Sequence, residues 1–389
     1  GKRTRLMCSC VVFFFLYVIF CNHLLAVVTQ DELSQQEKPT PEANQNHQID
    51  LPLTADMSGS AISRILDIPK LITNAGVDLT QEIIQDLPTN EQVFKLYGDG
   101  PQIIGLETCP AFQQSVPPEE AYIAAAGMFN TGTNLLSKLL RQHCAIPERE
   151  EKYASLPNFI KNRPMKTGIN FQVPWGKHNP VSWRNHHVAK QGGPGVVQDN
   201  VLPVVMIKDP YHWMGSMCRH PYSAQWRHFA RHCSNLVSES DKDKDGNAKS
   251  VKVYLDYQPE LHQESKIHKY ESLADLWSTW YTDYLDVNEF PRLMIRYEDL
   301  LFYPTEVVTA VCKCGGGKLI NADNGIHHVE ESAKKGHYKN SAPVGVVSAI
   351  IRYGKEDHRT DTMTQEDLSY ARGAFSSDLM DLFHYSHPE

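Results

Sequence analysis

Apolar positions along the chain fall into three regimes. Residues 6–28, LMCSCVVFFFLYVIFCNHLLAVV, are nearly continuous in apolar character, broken only by the weakly polar Ser9, Asn22 and His23. Residues 31–60 are rich in Gln, Glu, Pro, Asn and Ser. Beyond them, short apolar runs alternate with amphipathic ones. At about 1.5 Å per residue the first run spans a bilayer core of roughly 30 Å. Lys2, Arg3 and Arg5 precede it, which predicts a signal anchor with its amino end cytoplasmic and the rest of the chain lumenal. A cleaved signal peptide is the alternative, although its apolar run is usually shorter. The polar regime predicts a flexible stem, because so little apolar surface cannot offset the entropy of ordering it.

The third regime reads as strands alternating with helices. AYIAAAGMF (121–129) is a small-residue strand running into a glycine loop. TNLLSKLLRQH (133–143) follows as a helix, with Leu135, Leu136, Leu139 and Leu140 on one stripe. TGINFQVPWGKH (167–178) is a second strand candidate, followed by a glycine-rich loop at residues 192–195. VLPVVMIK (201–208) is uniformly apolar, as a strand buried on both faces of a parallel sheet must be. YESLADLWSTWYTDYLD (270–286) predicts a helix whose Trp277, Trp280, Tyr281 and Tyr284 face the core, PRLMIRY (291–297) another strand, and a further helix begins near Pro304. The expected fold is α/β, a P-loop-like open parallel sheet flanked by helices, over residues 120–389. AISRILDIPKLI (61–72) and TQEIIQDL (80–87) predict an extension over 61–119 that packs on this core.

Charge narrows the partners. The chain has 389 residues and a net charge of −8, with no strongly basic tract after its first residues. A general nucleic-acid binder would need such a tract to neutralise phosphates. Of nine cysteines, Cys8, Cys10 and Cys21 lie in the membrane segment; Cys109, Cys144, Cys218, Cys233, Cys312 and Cys314 would face an oxidising compartment. Cys218 with Cys233 is the favoured disulfide, since the 14 residues between them form one local excursion after a strand.

The glycine loop carries the first chemistry. Gly127 and Gly132 have phosphate-loop spacing, yet Thr133 and Asn134 stand where a nucleotide triphosphatase needs Lys and a hydroxyl. A phosphate would then be held by backbone amides of about residues 131–135 at a helix N-terminus, assisted by Thr131 and Thr133, without a metal. Packing alone is the plainer role for the two glycines. DKDKDGNAKS opens like a calcium loop with Asp241, Asp243, Asp245 and Gly246. Lys252 occupies the closing ligand position, so a solvated loop is expected. His186, His187, His327 and His328 lack metal-ligand spacing.

Three further motifs change the odds. PWGKHNP places Lys177 and His178 after the second strand candidate. MIKDPYHWMGSMCRHPY places Lys208 at the end of the third and Ser216 eight residues on, and RYEDLL spans Arg296 to Leu301. Together with the glycine loop they resemble the sulfotransferase family, over roughly residues 120–312. The resemblance implies 3′-phosphoadenosine 5′-phosphosulfate as co-substrate, no metal, and a hydroxyl or amine acceptor, a glycan being favoured. It implies the 5′-phosphate on Gly132, Thr133 and their neighbours Thr131 and Asn134, and the 3′-phosphate on Lys208, in place of the family's Arg, and Ser216. His178, or else His212, would be the base and Lys177 the cation at the bridging oxygen. It also implies a Golgi-type, single-pass membrane location. Asn130 stands where most of the family has a loop lysine, so it joins the donor-binding residues with its amide as the expected hydrogen-bond donor to the bridging oxygen, and KKGHYKN (334–340) only faintly echoes the family's late phosphate loop. The alternatives are a nucleotide- or carbohydrate-binding membrane protein without catalysis and a phosphotransferase with Asp209 as magnesium ligand.

Overall fold

The computed structural model describes residues 66–157, 159, 163–190, 192–193, 195–228, 232–257, 267–321, 325–326, 345–361 and 363–389. The anticipated membrane segment 6–28 and the anticipated stem 31–60, with His327, His328 and residues 334–340, lie outside them. Among the described residues no helix is long and apolar enough to cross a membrane.

Five strands make the central sheet: β1 (Ile103–Ile104), β2 (Tyr122–Gly127), β3 (Ile169–Asn170), β4 (Val201–Ile207) and β5 (Leu293–Arg296), in the order β1-β5-β4-β2-β3. All neighbours pair in parallel except β1, which is antiparallel to β5. Six helices matter to the site: α1 (Thr133–His143), α2 (Pro210–Arg219), α3 (Leu273–Asp286), α4 (Tyr297–Phe302), α5 (Pro304–Cys314) and α6 (Val346–Gly354).

Side chains alternate across a strand, and here the alternation feeds two cores. Ile123 and Ala125 of β2, with Leu202, Val204 and Met206 of β4, meet Leu136, Leu139 and Leu140 of α1 and Val307, Val308 and Val311 of α5. Ala124 and Ala126, with Val205 and Ile207, meet Trp213, Met214 and Met217 of α2 and Trp277, Trp280, Tyr281 and Tyr284 of α3. The result is a mixed α/β fold with a mostly parallel central sheet flanked by helices. Uniform burial of β4 explains its unbroken apolar sequence. Ile68 and Ile72 of the short helix Ile68–Asn74, and Val93, Leu96 and Tyr97 of Asn90–Tyr97, belong to the second of these cores.

The strand anticipated over 167–178 is regular only at Ile169–Asn170. Pro174 has no N–H to donate and Gly176 turns with φ +92, so the ladder cannot continue. The chain nevertheless stays beside β2: Val173 N donates to Ala125 O (3.0 Å) and Gly127 N to Lys177 O (2.7 Å).

Cys218 and Cys233 are bridged as anticipated. Two further disulfides, Cys109–Cys314 and Cys144–Cys312, both anchor the C-terminal end of α5, to the helix Cys109–Ser115 and to the short strand Cys144–Ala145. The calcium-like stretch is the tip of a hairpin between Val237–Lys242 and Ala248–Ser250. There Asp243 accepts the backbone N–H groups of Asp245 and Asn247, and no metal-holding group of side chains occurs among the described residues.

Candidate functional site

β3 follows β2 on one side and β4 then lies on the other. The direction of winding therefore reverses at β2, and the crevice outside the carboxyl ends of β2 and β4 is where open α/β sheets bind ligands. Asn130 to Asn134 follow β2, Lys177 and His178 lie beside its end, and Lys208 and Ser216 follow β4.

The turn from β2 into α1 depends on its glycines. Gly127 and Gly132 have φ of +149 and +87. A Cβ at Gly132 would stand 2.4 Å from the ring of Tyr297, and one at Gly127 2.6 Å from Thr131 Oγ1. Close packing and conformation thus both require them. The buried Thr131 hydroxyl donates to Met128 O at 2.8 Å, closing the loop on itself. Leu136 N bonds Gly132 O, the first helical bond of α1. Thr133, Asn134 and Leu135 therefore form the first turn, whose N–H groups have no intrahelical partner and carry the positive end of the helix dipole. Thr133 is buried there, and Asn134 Oδ1 accepts the Lys177 ammonium at 2.7 Å.

Asn130 has φ +65, a region that Asn tolerates better than most residues. Its amide donates to His220 O (2.9 Å) and Ser216 O (3.3 Å). It therefore satisfies the terminal carbonyls of α2, whereas its place in the family pattern suggests a partner on the bridging oxygen.

His178 Nδ1 lies 2.7 Å from Gly127 O. A carbonyl can only accept, so Nδ1 carries a proton, and in the neutral tautomer the basic atom is Nε2. Trp280 Nε1 donates to His178 O (3.2 Å), and the Phe129 ring packs on the imidazole with centroids 4.5 Å apart.

Lys208 and Ser216 both lie beside the phenol of Tyr353 on α6. Lys208 Nζ donates to that hydroxyl at 2.9 Å, whereas the Ser216 hydroxyl donates to His212 O at 2.9 Å. The ammonium lies over the rings of Tyr297 (4.0 Å) and Tyr353 (4.6 Å), and Arg219 Nη2 donates to Ser216 Oγ (3.1 Å). Burial of the phenol would raise its pKa, but the charge and hydrogen bond of Lys208, with Arg219 and Ser216, bring it below the ordinary value. The two cations thus bond neighbouring hydroxyls, Lys208 that of Tyr353 and Arg219 that of Ser216.

Asp209 is not the partner of Lys208. Its carboxylate caps α2 through the N–H groups of Tyr211 and His212 and pairs with Arg359 at 2.8 Å. Buried and so occupied, it is poorly placed to hold magnesium. Burial, then the charges of Arg359 and Lys208, hold His212 well below the ordinary imidazole range, and its ring packs against Tyr353 at 4.8 Å. It sits within the cation cluster, whereas His178 adjoins the glycine loop.

Sequence patterns missed Tyr353, Tyr297 and Arg219. Only Arg219 had a local signal, standing one helical turn after Ser216. No family model matches the chain, and no curated protein or solved structure matches it at a significant level.

Proposed function

We propose that the protein is a sulfotransferase moving a sulfuryl group from 3′-phosphoadenosine 5′-phosphosulfate to a hydroxyl or amine, working from a lumenal, Golgi-type membrane location. The observation that carries this reading is the cluster of Lys208, Ser216 and Arg219 beside the Tyr353 hydroxyl, beyond the carboxyl end of the strand next to the glycine loop. A 3′-phosphate has the charge and oxygens to take that place. The three disulfides suit an oxidising compartment. The P-loop-like turn, lacking the charged lysine of nucleotide triphosphatases, suits a 5′-phosphate that needs no metal.

In this scheme the acceptor oxygen attacks sulfur as the bond from sulfur to the bridging oxygen breaks. His178 Nε2 takes the acceptor proton, and adenosine 3′,5′-bisphosphate leaves with the bonding pair. Gly127 O holds the imidazole in the tautomer this needs. Lys177, held at the first turn of α1 by Asn134, supplies the positive charge for the leaving oxygen.

The test is transfer of radiolabelled sulfate from the donor to pooled acceptors. The intact chain should transfer it. His178→Ala should lose about 100-fold to 10,000-fold in rate while binding adenosine 3′,5′-bisphosphate nearly as well. An unimpaired His178→Ala enzyme would remove the base, and a magnesium requirement for turnover would favour phosphoryl transfer instead.

A further inference from the structure

The groups assigned to the 3′-phosphate are closed off from solvent. Lys208, Ser216 and Tyr353 are only 4%, 5% and 6% exposed. A phosphate ester cannot reach the Lys208 ammonium past so little open surface, so one side chain must give way.

The surroundings decide which. Lys208 leaves the end of β4, where Trp277 Nε1 donates to its carbonyl at 3.2 Å. Ser216 lies within α2, its hydroxyl tied to His212 O. The backbone of Tyr353 is fixed as well: the Tyr97 hydroxyl donates to Tyr353 O at 2.8 Å, and a Cβ on Gly354 would stand 2.4 Å from Pro88 Cγ. The Tyr353 side chain can still turn about χ1 between rotamers without moving α6.

Two features mark its oxygen as a stand-in for an anion. A buried ammonium is costly unless an opposite charge pairs with it. Asp209, next in sequence, pairs with Arg359 instead, which leaves a phenol as the hydrogen-bond acceptor of Lys208. The second feature is His212, one helical turn before Ser216 on the same face of α2. It is 3% exposed, its ring lies 4.8 Å from that of Tyr353, and its Nε2 has no hydrogen-bond partner among the described residues. A phosphate in place of the phenol would give Lys208 an opposite charge and, in the Nε2–H tautomer, give His212 an acceptor. Arg219, exposed and bonded to Ser216 Oγ at 3.1 Å, marks the solvent side of the cluster.

We propose that Tyr353 is a built-in placeholder: in the free protein its hydroxyl holds the position of a 3′-phosphate oxygen on Lys208, and donor binding turns it away. This rests on the sulfotransferase reading above. Tyr353 thereby lowers affinity for the donor while keeping a buried lysine hydrogen-bonded until the donor arrives.

The experiment is calorimetry and thermal unfolding on the full chain in detergent, with adenosine 3′,5′-bisphosphate and adenosine 5′-monophosphate. Tyr353→Phe deletes the competing oxygen and keeps the ring under the ammonium. Its Kd for the bisphosphate should fall about 10-fold, the worth of a hydrogen bond to a charged group, and its Kd for the monophosphate should stay within about twofold. The Tm of the free variant should drop, and saturating bisphosphate should raise it by more than it raises that of the unaltered protein. A phenol that ligates the phosphate would make the bisphosphate Kd rise, and one that only packs would leave it unchanged. Either result overturns the placeholder and leaves the sulfotransferase reading standing. In the unaltered protein, isotope-labelled at tyrosine Cζ and read by NMR, the bisphosphate should move a phenol resonance that the monophosphate leaves in place; no such movement also overturns it. If the bisphosphate binds neither protein, the sulfotransferase reading itself falls and the placeholder with it.

Discussion

Asn130 settles on the carbonyls at the end of α2, and this changes what substitution there should do. From charge alone, Asn130→Lys would restore a cation to the loop and raise turnover. In the folded protein a lysine would have to adopt φ +65 and leave Ser216 O and His220 O without their donor. The variant should lose about 1 to 3 kcal/mol of stability and turn over more slowly. Chemical denaturation and initial rates check both, and a faster enzyme of unchanged stability would show that the amide does not position this loop. At this scale the sequence was informative where partners are local. Gly132 announces its turn and His178 its place beside a loop. The amide of Asn130 acts 86 and 90 residues away, and Tyr353 reaches Lys208 across 145, which no local pattern encodes.

Among the elements, the junction of β5 and α4 couples the site to stability. Arg296 donates to both carboxylate oxygens of Asp299 at 2.6 Å. Next to them the fully buried Glu298 accepts from Asp209 N and from the Tyr385 hydroxyl. Burial, reinforced by the carboxylate of Asp209, pushes the Glu298 carboxyl up to about 7. Its folded pKa thus exceeds its unfolded one, so the folded state holds the extra proton between pH 4.5 and 7 and stability falls as pH rises through that window. Glu298→Gln keeps a neutral partner for both contacts. It should narrow the difference in unfolding free energy between pH 5 and pH 8 by about 2 kcal/mol. An unchanged pH slope would mean that Glu298 stays ionised in the fold. Elements with uniform apolar burial, such as β4, were legible, as was the amphipathic α1. The strand over 167–178 was not, because Pro174 and Gly176 end its ladder while tertiary bonds to β2 keep the chain in place.

For the whole molecule, the order β1-β5-β4-β2-β3 puts the reversal of winding at β2, and this gathers motifs scattered from residue 127 to residue 216 into one crevice. Alternation of strands and helices predicted a parallel sheet but not its order, which depends on crossovers of many residues. The pairing of Cys218 with Cys233 was legible because it is local. The bridges of Cys109 and Cys144 to α5 close separations of 205 and 168 residues and were not. The central claim, that this crevice reads a 3′-phosphate, is tested most directly by calorimetry with adenosine 3′,5′-bisphosphate and adenosine 5′-monophosphate on the intact protein and on Lys208→Met, which keeps much of the buried side-chain volume. The intact protein should prefer the bisphosphate. The variant should lose about 10-fold to 150-fold in affinity for it, the worth of a charge-assisted hydrogen bond, and little for the monophosphate. Equal losses for both ligands, or no preference in the intact protein, would contradict the account.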